Sequence, residues 1–186
     1  MSIIQDGAGT GRSARVTEDN RLQTIANSSN RIYFNSRDYE ESYSVTCADA
    51  APTAAEYTLY IQNTSQTYDL VFDEFWTYAT DADVQWKLTS VTGTAAGAAV
   101  ITAVNCNLAS AKVATANIRG GAGGVTGLTP VNVIWQWRNG AANSTLPALT
   151  YGILRVGPGQ ALAFEYDAGT GGAVLIGVTM YFDRIL

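Results

Sequence analysis

The sequence predicts an all-β fold, a jelly-roll-like antiparallel β-sandwich with an extended N-terminal arm. The first observation is a period-two alternation of apolar residues near the C-terminus, where Leu154 and Val156 share one side and Val174, Ile176 and Val178 repeat the pattern. This is the spacing of half-buried strands. The second observation is composition, since 18 glycines and 15% charged residues favour turns and close backbone contacts over exposed helices. A chain of 186 residues fits one such domain with an extension.

The N-terminal 30 residues differ in kind from the rest of the chain. In residues 1–30, early glycines alternate with small side chains, which favours an extended arm with little surface to bury. Within this arm, residues 12–16 and 22–25 are expected to pair as a small hairpin across a polar turn. Residues 31–55 are interpreted as a transition segment, and residues 56–186 as the β-sandwich body.

The first strands of the body are indicated by alternating apolar residues at 57–62, 68–78 and 84–91. The glycine- and alanine-rich residues 92–97 then predict a turn that leads into a strand over 98–104.

The middle of the body is harder to assign, because its alanine-rich residues suit a helix as well as a strand. We predict a loop over residues 105–110 and then a strand over 112–118, since a helix would be the only long one in the chain. The glycine-rich residues 119–124 predict a flexible loop.

The strand after this loop covers residues 131–138 and is predicted to place Val133, Trp135 and Trp137 on one face. Three further strands close the chain between residues 151 and 182, with breaks where proline and glycine favour tight turns. From residue 57 onward the pattern gives about eight strands, the number expected of a jelly roll.

Charge is distributed unevenly along the chain, whose net charge is −5. Residues 1–37 carry five arginines against three carboxylates, whereas residues 38–83, the acidic belt, carry ten carboxylates and no Lys or Arg. Phosphate binding needs clustered basic side chains, so nucleic acid is not expected as a partner. A basic arm before an acidic belt allows arm-to-belt contacts between subunits.

The two cysteines, Cys47 and Cys106, lack both CxxC spacing and neighbouring histidines, and we interpret them as buried free thiols. The N-terminus lacks the basic and apolar regions of a secretory signal, so synthesis and folding in the cytoplasm are expected. No apolar run approaches the roughly 18 residues that span a membrane, so no membrane partner is predicted.

Histidine is absent, which excludes Ser-His-Asp and Cys-His catalysis and His-based zinc sites. The remaining catalytic candidates are the carboxylate pairs Asp73 with Glu74 and Asp81 with Asp83. A glycosidase needs two carboxylates that face each other across a sugar, whereas neighbours in a strand point to opposite faces. Solvated carboxylates are the preferred interpretation of the second pair, with a loose calcium site or catalysis as alternatives. We predict no enzyme activity, no cofactor and no metal site.

The aromatic residues, which include four Trp and ten Tyr, have two interpretations. Exposed rings would form a sugar-stacking platform, whereas inward rings would fill the core or a subunit interface. Most of them fall on inward-alternating positions, so core and interface are preferred and glycan binding remains an alternative.

The arm also contains a sequence motif in three parts. These are Asp-Gly-Ala-Gly-Thr-Gly at residues 6–11, Ala-Arg-Val at 14–16 and Asp-Asn-Arg-Leu at 19–22. It resembles the N-terminal segment of many small virion proteins of tailed bacteriophages, in which a "DGTGxGxxAKV" phrase precedes an "xxNRL" phrase and a β-sandwich. The departures are Ala8 in place of a frequent Thr and Arg15 in place of a frequent Lys. The resemblance continues more weakly in the YTLYIQNTS and VGPGQALAFEY strands.

This resemblance implies a non-enzymatic capsid or tail accessory protein that is synthesised in the host cytoplasm. The expected role is capsid decoration, in which the protein docks as cement on the virion surface, with the major capsid protein or other virion proteins as partners. The resemblance also implies a homo-oligomer, with a trimer expected. The alternative is a receptor-binding or fibre-type module that recognises a host glycan through aromatics and loops such as 119–129.

Two groups of residues are predicted to make the contacts of such a protein. Arg12, Arg15 and Arg21 are expected to bring the arm to acidic groups on a neighbour or on the shell, since a flexible arm that becomes ordered on docking adds contact area and avidity. The strand over 131–137, with Val133, Trp135 and Trp137, is expected to form part of an oligomer interface.

Overall fold

The structure is a computed structural model that describes residues 41–168 and 171–184, with the backbone of three short segments, 3–5, 13–16 and 22–23. For residues 147–153, Ala168 and Arg184 it describes the backbone alone. The chain divides into two compact units, residues 1–30 and 31–186.

The first unit contains a small antiparallel sheet in the order β1-β2-β3. Its strands are β1 (Ile3–Gln5), β2 (Ser13–Val16) and β3 (Leu22–Gln23). Val16 pairs with Leu22, so β2 and β3 pair across residues 17–21.

The second unit consists of antiparallel strands, and the part of it that the structure describes contains no helix. The strands are β4 (Ser42–Asp49), β5 (Glu56–Asn63), β6 (Tyr68–Ala79), β7 (Val84–Val100), β8 (Val104–Asn105), β9 (Ala116–Asn139), β10 (Ser144–Val156), β11 (Ala161–Ala168) and β12 (Val174–Arg184). The all-β prediction is confirmed. Among the described residues no helix is long and apolar enough to cross a membrane.

The strands of this unit form two sheets. One sheet has five strands in the order β10-β6-β12-β4-β8, and the other is a closed set in the order β11-β5-β9-β7. The second set closes because β9 pairs with β5 through its first residues and with β7 along most of its length. Consecutive strands from β4 to β12 therefore alternate between the two sheets.

The main core contains apolar side chains from both sheets. Phe72 and Phe75 of β6 and Trp86 of β7 expose at most 2% of their surfaces, and so do Phe164 of β11 and Ile176 of β12. The alternation of β12 explains its central position, because every second residue from Val174 to Met180 is buried. The three closing strands predicted from the sequence are all present as β10, β11 and β12.

A second, smaller cluster belongs to the closed set of strands. Tyr60 of β5, Val91 of β7, Val125 of β9 and Ala161 and Ala163 of β11 bury their side chains together. The face of β5 and β11 that points away from the main core is therefore also buried. Both faces of β7 are buried near residues 86–91.

The body begins earlier than the predicted boundary at residue 56. β4 lies inside the five-stranded sheet, where it pairs with β12 on one side and β8 on the other. Tyr43, Val45 and Cys47 of β4 are buried in the main core. The period-two alternation of apolar residues at 43–47 is the sequence signal for this strand.

The glycine-rich residues 92–97 and 119–124 predict a turn and a loop, and this prediction is wrong. They continue β7 and β9, and Gly93 pairs with Leu128 while Gly97 pairs with Val125. Gly93 has a φ of 103°, and a Cβ there would overlap the carbonyl oxygen of Gly127. Glycine here permits a close, irregular approach of two long strands rather than a chain reversal.

The predicted strand over residues 112–118 begins only at Ala116. Residues 101–115 form an excursion, a connection between the end of β7 and the start of β9. It contains the short strand β8, which pairs with β4 of the other sheet. Cys106 donates its backbone N–H to the carbonyl oxygen of Ser42 at 2.8 Å, which holds this excursion against the sheet. Side-chain hydrogen bonds of Asn and Ser fix its turn, a local alternative to strand pairing.

Candidate functional site

Residues 130–139 of β9 form an edge of the closed set of strands. They pair with β7 on one side, and among the described residues no strand pairs with their other side. Unpaired strand edges are templates for association, and proteins commonly protect them with charged residues, proline or bulges.

The inner face of this stretch belongs to the core. Trp135 and Trp137 both pack on Phe75 of the opposite sheet, with ring centroids 5.9 and 5.2 Å away. Trp137 also stacks on Trp86 and donates its indole N–H to Thr77 Oγ1 at 3.1 Å. Trp137 is thus half-buried and held by packing and by a hydrogen bond.

Two bulges change which residues face outward. Trp135 pairs with Leu88 and Val133 pairs with the next residue, Thr89, so Ile134 is an extra residue without a partner in β7. Val131 is a second extra residue, because its neighbours on either side pair with the adjacent residues Ser90 and Val91. Adjacent residues of a strand point to opposite faces, so partners of Leu88 and Thr89 do too. Val133 therefore lies on the opposite face from Trp135, and the prediction that Val133, Trp135 and Trp137 share one face is wrong.

The bulged stretch exposes apolar side chains. The exposed fractions are 55% for Val131, 52% for Val133, 36% for Ile134 and 38% for Trp135. No charged residue occurs between residues 119 and 138. We refer to residues 131–135 as the uncharged edge.

A cavity of about 510 Å³ adjoins the uncharged edge, and we call it the edge cavity. Val131 and Ile134 line it from β9. Buried apolar residues such as Val91, Val156 and Leu162 line it from other strands. Its lining also includes neutral polar residues, among them Gln62, Ser90, Asn132 and Gln160. Its volume is within the range of small-ligand pockets.

Among the described residues that line the edge cavity, Arg155 is the only charged one. Its guanidinium lies 2.9 Å from a carboxylate oxygen of Asp183 and 3.6 Å from one of Asp69. Its charge is therefore compensated within the chain, and the cavity favours neutral groups.

The acidic belt pairs with basic residues in the C-terminal half of the chain. Asp69 approaches Arg155, Glu41 lies 3.4 Å from the ammonium of Lys112, and Asp83 lies 3.4 Å from Arg138. These pairs link distant stretches of sequence, so part of the belt's charge is balanced inside the body.

The candidate catalytic carboxylates occupy two different places. Asp73 and Glu74 lie within β6, and burial raises the pKa of Asp73. Asp81 and Asp83 follow the end of β6, where Asp81 accepts a 2.7 Å hydrogen bond from the backbone N–H of Gly172. In the described part of the chain, no group of three or more His, Cys, Asp or Glu side chains is placed to hold a metal ion.

Both cysteines are free thiols, but only one is buried. The Cys47 thiol donates to the carbonyl oxygen of Thr58 at 3.2 Å, and burial raises its pKa to about 11. Cys106 is exposed on the excursion between β7 and β9, so the prediction of burial is wrong for this residue. The structural reason is that residues 104–113 lie mostly outside the core.

The predicted arm contacts fall mostly outside the described residues. This is the case for Arg12 and Arg21. Arg15 lies in β2, where its backbone pairs with Ile3 and Gln23.

One exposed residue was missed by sequence reasoning. Leu108 is 85% exposed at the centre of a turn over residues 107–110, in which the Ser110 N–H donates to the carbonyl oxygen of Asn107 at 2.9 Å. We call these four residues the Leu108 turn. The available signal was a large apolar residue inside a predicted loop of small and polar residues.

Comparison of the chain with models of protein families, with curated proteins and with solved structures finds no match.

Proposed function

We propose that this protein is a non-enzymatic structural component of a tailed-phage virion that decorates the assembled capsid and stabilises it. In this proposal the body docks on the capsid surface beside the major capsid protein, and the N-terminal arm reaches onto neighbouring subunits. The protein acts as a homo-oligomer, with three copies as the expected number.

The observation that carries the proposal is the uncharged edge. Monomeric proteins rarely leave a strand edge with several exposed apolar side chains and no charge. Val131 and Val133 each expose more than half of their surfaces there. Such a surface is suited to permanent contact with another protein, and many identical copies on a lattice multiply a weak contact.

The strand order supports the jelly-roll part of the proposal. A jelly roll contains eight strands in two sheets built from Greek keys. If the short β8 is set aside, four strands lie in each sheet, in the orders β10-β6-β12-β4 and β11-β5-β9-β7. Consecutive strands then cross between sheets at most connections, as is typical of Greek-key sandwiches.

The environment of the carboxylates supports a non-enzymatic role. Asp81 is bonded to a backbone N–H and Asp83 is paired with Arg138. Glycoside hydrolysis needs two carboxylates that act together on a sugar, whereas these two carboxylates are each engaged by another group of the chain.

The test is binding of purified protein to expanded phage heads that lack it, measured as bound copies per head over a range of protein concentrations. The full chain is expected to saturate at a number of copies set by the lattice. A chain that starts at Arg31, and a full chain with Arg12, Arg15 and Arg21 changed to Gln, are expected to bind more weakly. Circular dichroism checks that both variants keep the β spectrum. Absence of saturable binding by the full chain would contradict the proposal.

The edge cavity favours a second candidate, a receptor-binding or fibre-type module for a host-surface glycan. Neutral amide and hydroxyl groups such as Gln62, Ser90 and Asn132 are suitable partners for sugar hydroxyls. Residues 119–129, expected to contribute a binding loop, lie within β9 instead. Particles without the protein would then stay intact but fail to adsorb to host cells, whereas the decoration role predicts less stable particles.

A further inference from the structure

Besides the uncharged edge, residues 100–113 carry several exposed apolar side chains. Val100, Val104 and Val113 are 67%, 58% and 72% exposed, and Leu108 is 85% exposed. No charged residue occurs from residue 100 to residue 111. Lys112 comes next in the chain and approaches Glu41 at 3.4 Å.

Hydrogen bonds fix the shape of the Leu108 turn. The Asn105 side chain accepts from the Asn107 N–H at 2.8 Å, and the Asn107 side chain accepts from the Ala109 N–H at 3.2 Å. Ser110 Oγ accepts from the Lys112 N–H at 3.1 Å. The leucine is therefore presented on a preorganised turn, which reduces the entropy lost when it binds.

The Leu108 turn and the edge cavity lie at opposite edges of the five-stranded sheet. The turn follows β8, the strand at one edge, whereas β10 at the other edge contributes Leu154 and Val156 to the cavity. Four strand spacings of about 4.8 Å separate β8 from β10, which amounts to roughly 19 Å. A copy cannot place its own Leu108 in its own cavity.

We propose that the Leu108 turn of one copy inserts into the edge cavity of a second copy, so that the protein associates head to tail. The inference rests on the homo-oligomer of the proposed function and specifies its interface. Leu108 contacts the apolar lining of the cavity, and Val131 and Ile134 cover it from the side.

Charge is consistent with this pairing. In the lining of the edge cavity the charged side chain is Arg155, whose guanidinium is paired with Asp69 and Asp183. Beside the Leu108 turn, Lys112 approaches Glu41 at 3.4 Å, so each of these charges has a partner within its own copy. Each copy also carries a net charge of −5, and like charges repel. Added salt screens that repulsion, so head-to-tail association strengthens or stays constant as salt rises. Contacts made by the arginines of the arm weaken under the same change.

The bulges of β9 select this mode over direct pairing of two strand edges. Ile134 and Val131 are the extra residues, and bulges interrupt the regular hydrogen-bond ladder that a second β9 would need. A contact between two different surfaces is heterologous, and it forms a closed ring when its rotation closes.

The test uses two single substitutions, Leu108→Asp and Ile134→Asp, in the full chain, with mass measured by sedimentation velocity. Both residues are exposed, and near-unchanged unfolding curves check that each variant is folded. The wild-type protein is expected to form oligomers, and each variant alone is expected to be monomeric. Ala82→Asp, at an exposed turn position, is the matched control and is expected to associate like the wild type.

An equimolar mixture of the two variants is the decisive sample. The Leu108→Asp copy retains an intact cavity and the Ile134→Asp copy retains an intact turn, so the mixture is expected to form a species of two copies and none larger. A monomeric wild type, a Leu108→Asp variant that associates normally, or a mixture that stays monomeric would each overturn the inference. If such a result is found while heads still bind the protein saturably, the inference fails and the proposed decoration role stands.

Discussion

Two groups of large apolar side chains lie close together on β7 and β9, yet their surroundings are opposite. Trp86 and Leu88 of β7 are completely buried, whereas Val131 and Val133 of β9 are more than half exposed. Both groups occur in stretches whose sequence predicts a strand. Alternation therefore predicts the strand, while the bulges decide which of its residues reach the core.

The two groups of side chains are also expected to act on different properties, stability and association. The buried group is enclosed by the two sheets and contributes to folding through the apolar area that it removes from water. The exposed group has no such enclosure within one copy, and in the proposed association it contacts a second copy. Substitutions in the two groups should therefore change different measurements.

The largest effect is expected from Trp86→Ala. Trp86 is fully buried and stacks on Trp137, so truncation leaves a large cavity and lowers the free energy of unfolding by about 3–5 kcal/mol. Val133→Ala is the matched comparison and should change it by less than about 0.5 kcal/mol. Urea unfolding followed by tryptophan fluorescence and circular dichroism measures both changes. Equal losses in the free energy of unfolding would contradict the distinction between the buried and the exposed group.

A smaller loss is expected from Gly93→Ala, which tests how the shape of the β7–β9 pair is maintained. Gly93 has a φ of 103° and a Cβ would overlap the Gly127 carbonyl oxygen, so we expect about 1–3 kcal/mol of destabilisation. Gly140 has open space where a Cβ would stand and serves as the control, with Gly140→Ala close to neutral. Thermal unfolding compares the two, and a neutral Gly93→Ala would mean that the irregular pairing does not need glycine.

The two thiols distinguish the interior from the exposed turn by their reactivity. In native protein kept dilute enough to be monomeric, a thiol reagent should label Cys106 and leave Cys47, because Cys47 is 4% exposed and burial raises its pKa to about 11 from an ordinary value of 9.0. Mass spectrometry after brief labelling gives the site. Rapid native labelling of Cys47 would contradict its placement in the core.

The raised pKa of Cys47 predicts that the stability of the protein depends on pH. Since the folded state holds the Cys47 proton more tightly than the unfolded state does, its contribution favours folding less and less as pH rises from about 9 to about 11. Cys47→Ala should reduce this alkaline loss of stability, measured as the change in the denaturation midpoint between pH 8 and pH 11. An unchanged pH profile would show that Cys47 does not contribute to it.

The smallest effect is expected from Arg138→Gln, just beyond the uncharged edge. Its partner Asp83 is 3.4 Å away, and both side chains are 64% exposed. Solvent screens such a pair, so the free energy of unfolding should change by less than about 0.5 kcal/mol. Equilibrium urea unfolding at low and moderate salt measures it, and a larger loss would mean that this pair anchors the strand end.

Much of the fold was predictable from the sequence, because its signals are local. Alternating residues identified β5, β6 and the three closing strands, and the absence of a strong helical pattern identified the class. The sequence did not predict that β7 continues through Gly93 and Gly97, because glycines in such a stretch are typical of turns. Only their pairing with residues 125–128 of β9 shows that they lie within a strand. Pairing across such a distance in sequence leaves no local signal.

The candidate site was predictable in part. The stretch that contains Val133, Trp135 and Trp137 was identified as important, but its faces were not, because an alternation pattern does not reveal a bulge. The edge cavity combines residues of five strands, β5, β7, β9, β10 and β11, and it depends on the sheet order. Leu108 lacked any periodic context, so its exposure depends on a turn that only the structure reveals.

The most direct test of the head-to-tail contact is a disulfide between copies. Cys106 is exposed near the Leu108 turn, and Asn132→Cys would add a second exposed thiol, at the edge cavity, with Ala82→Cys as the control. Mild oxidation of the Asn132→Cys protein followed by nonreducing electrophoresis is expected to give covalently linked chains through Cys106, and the control is expected to give none. Equal cross-linking of the two variants, or none in either, would contradict the contact.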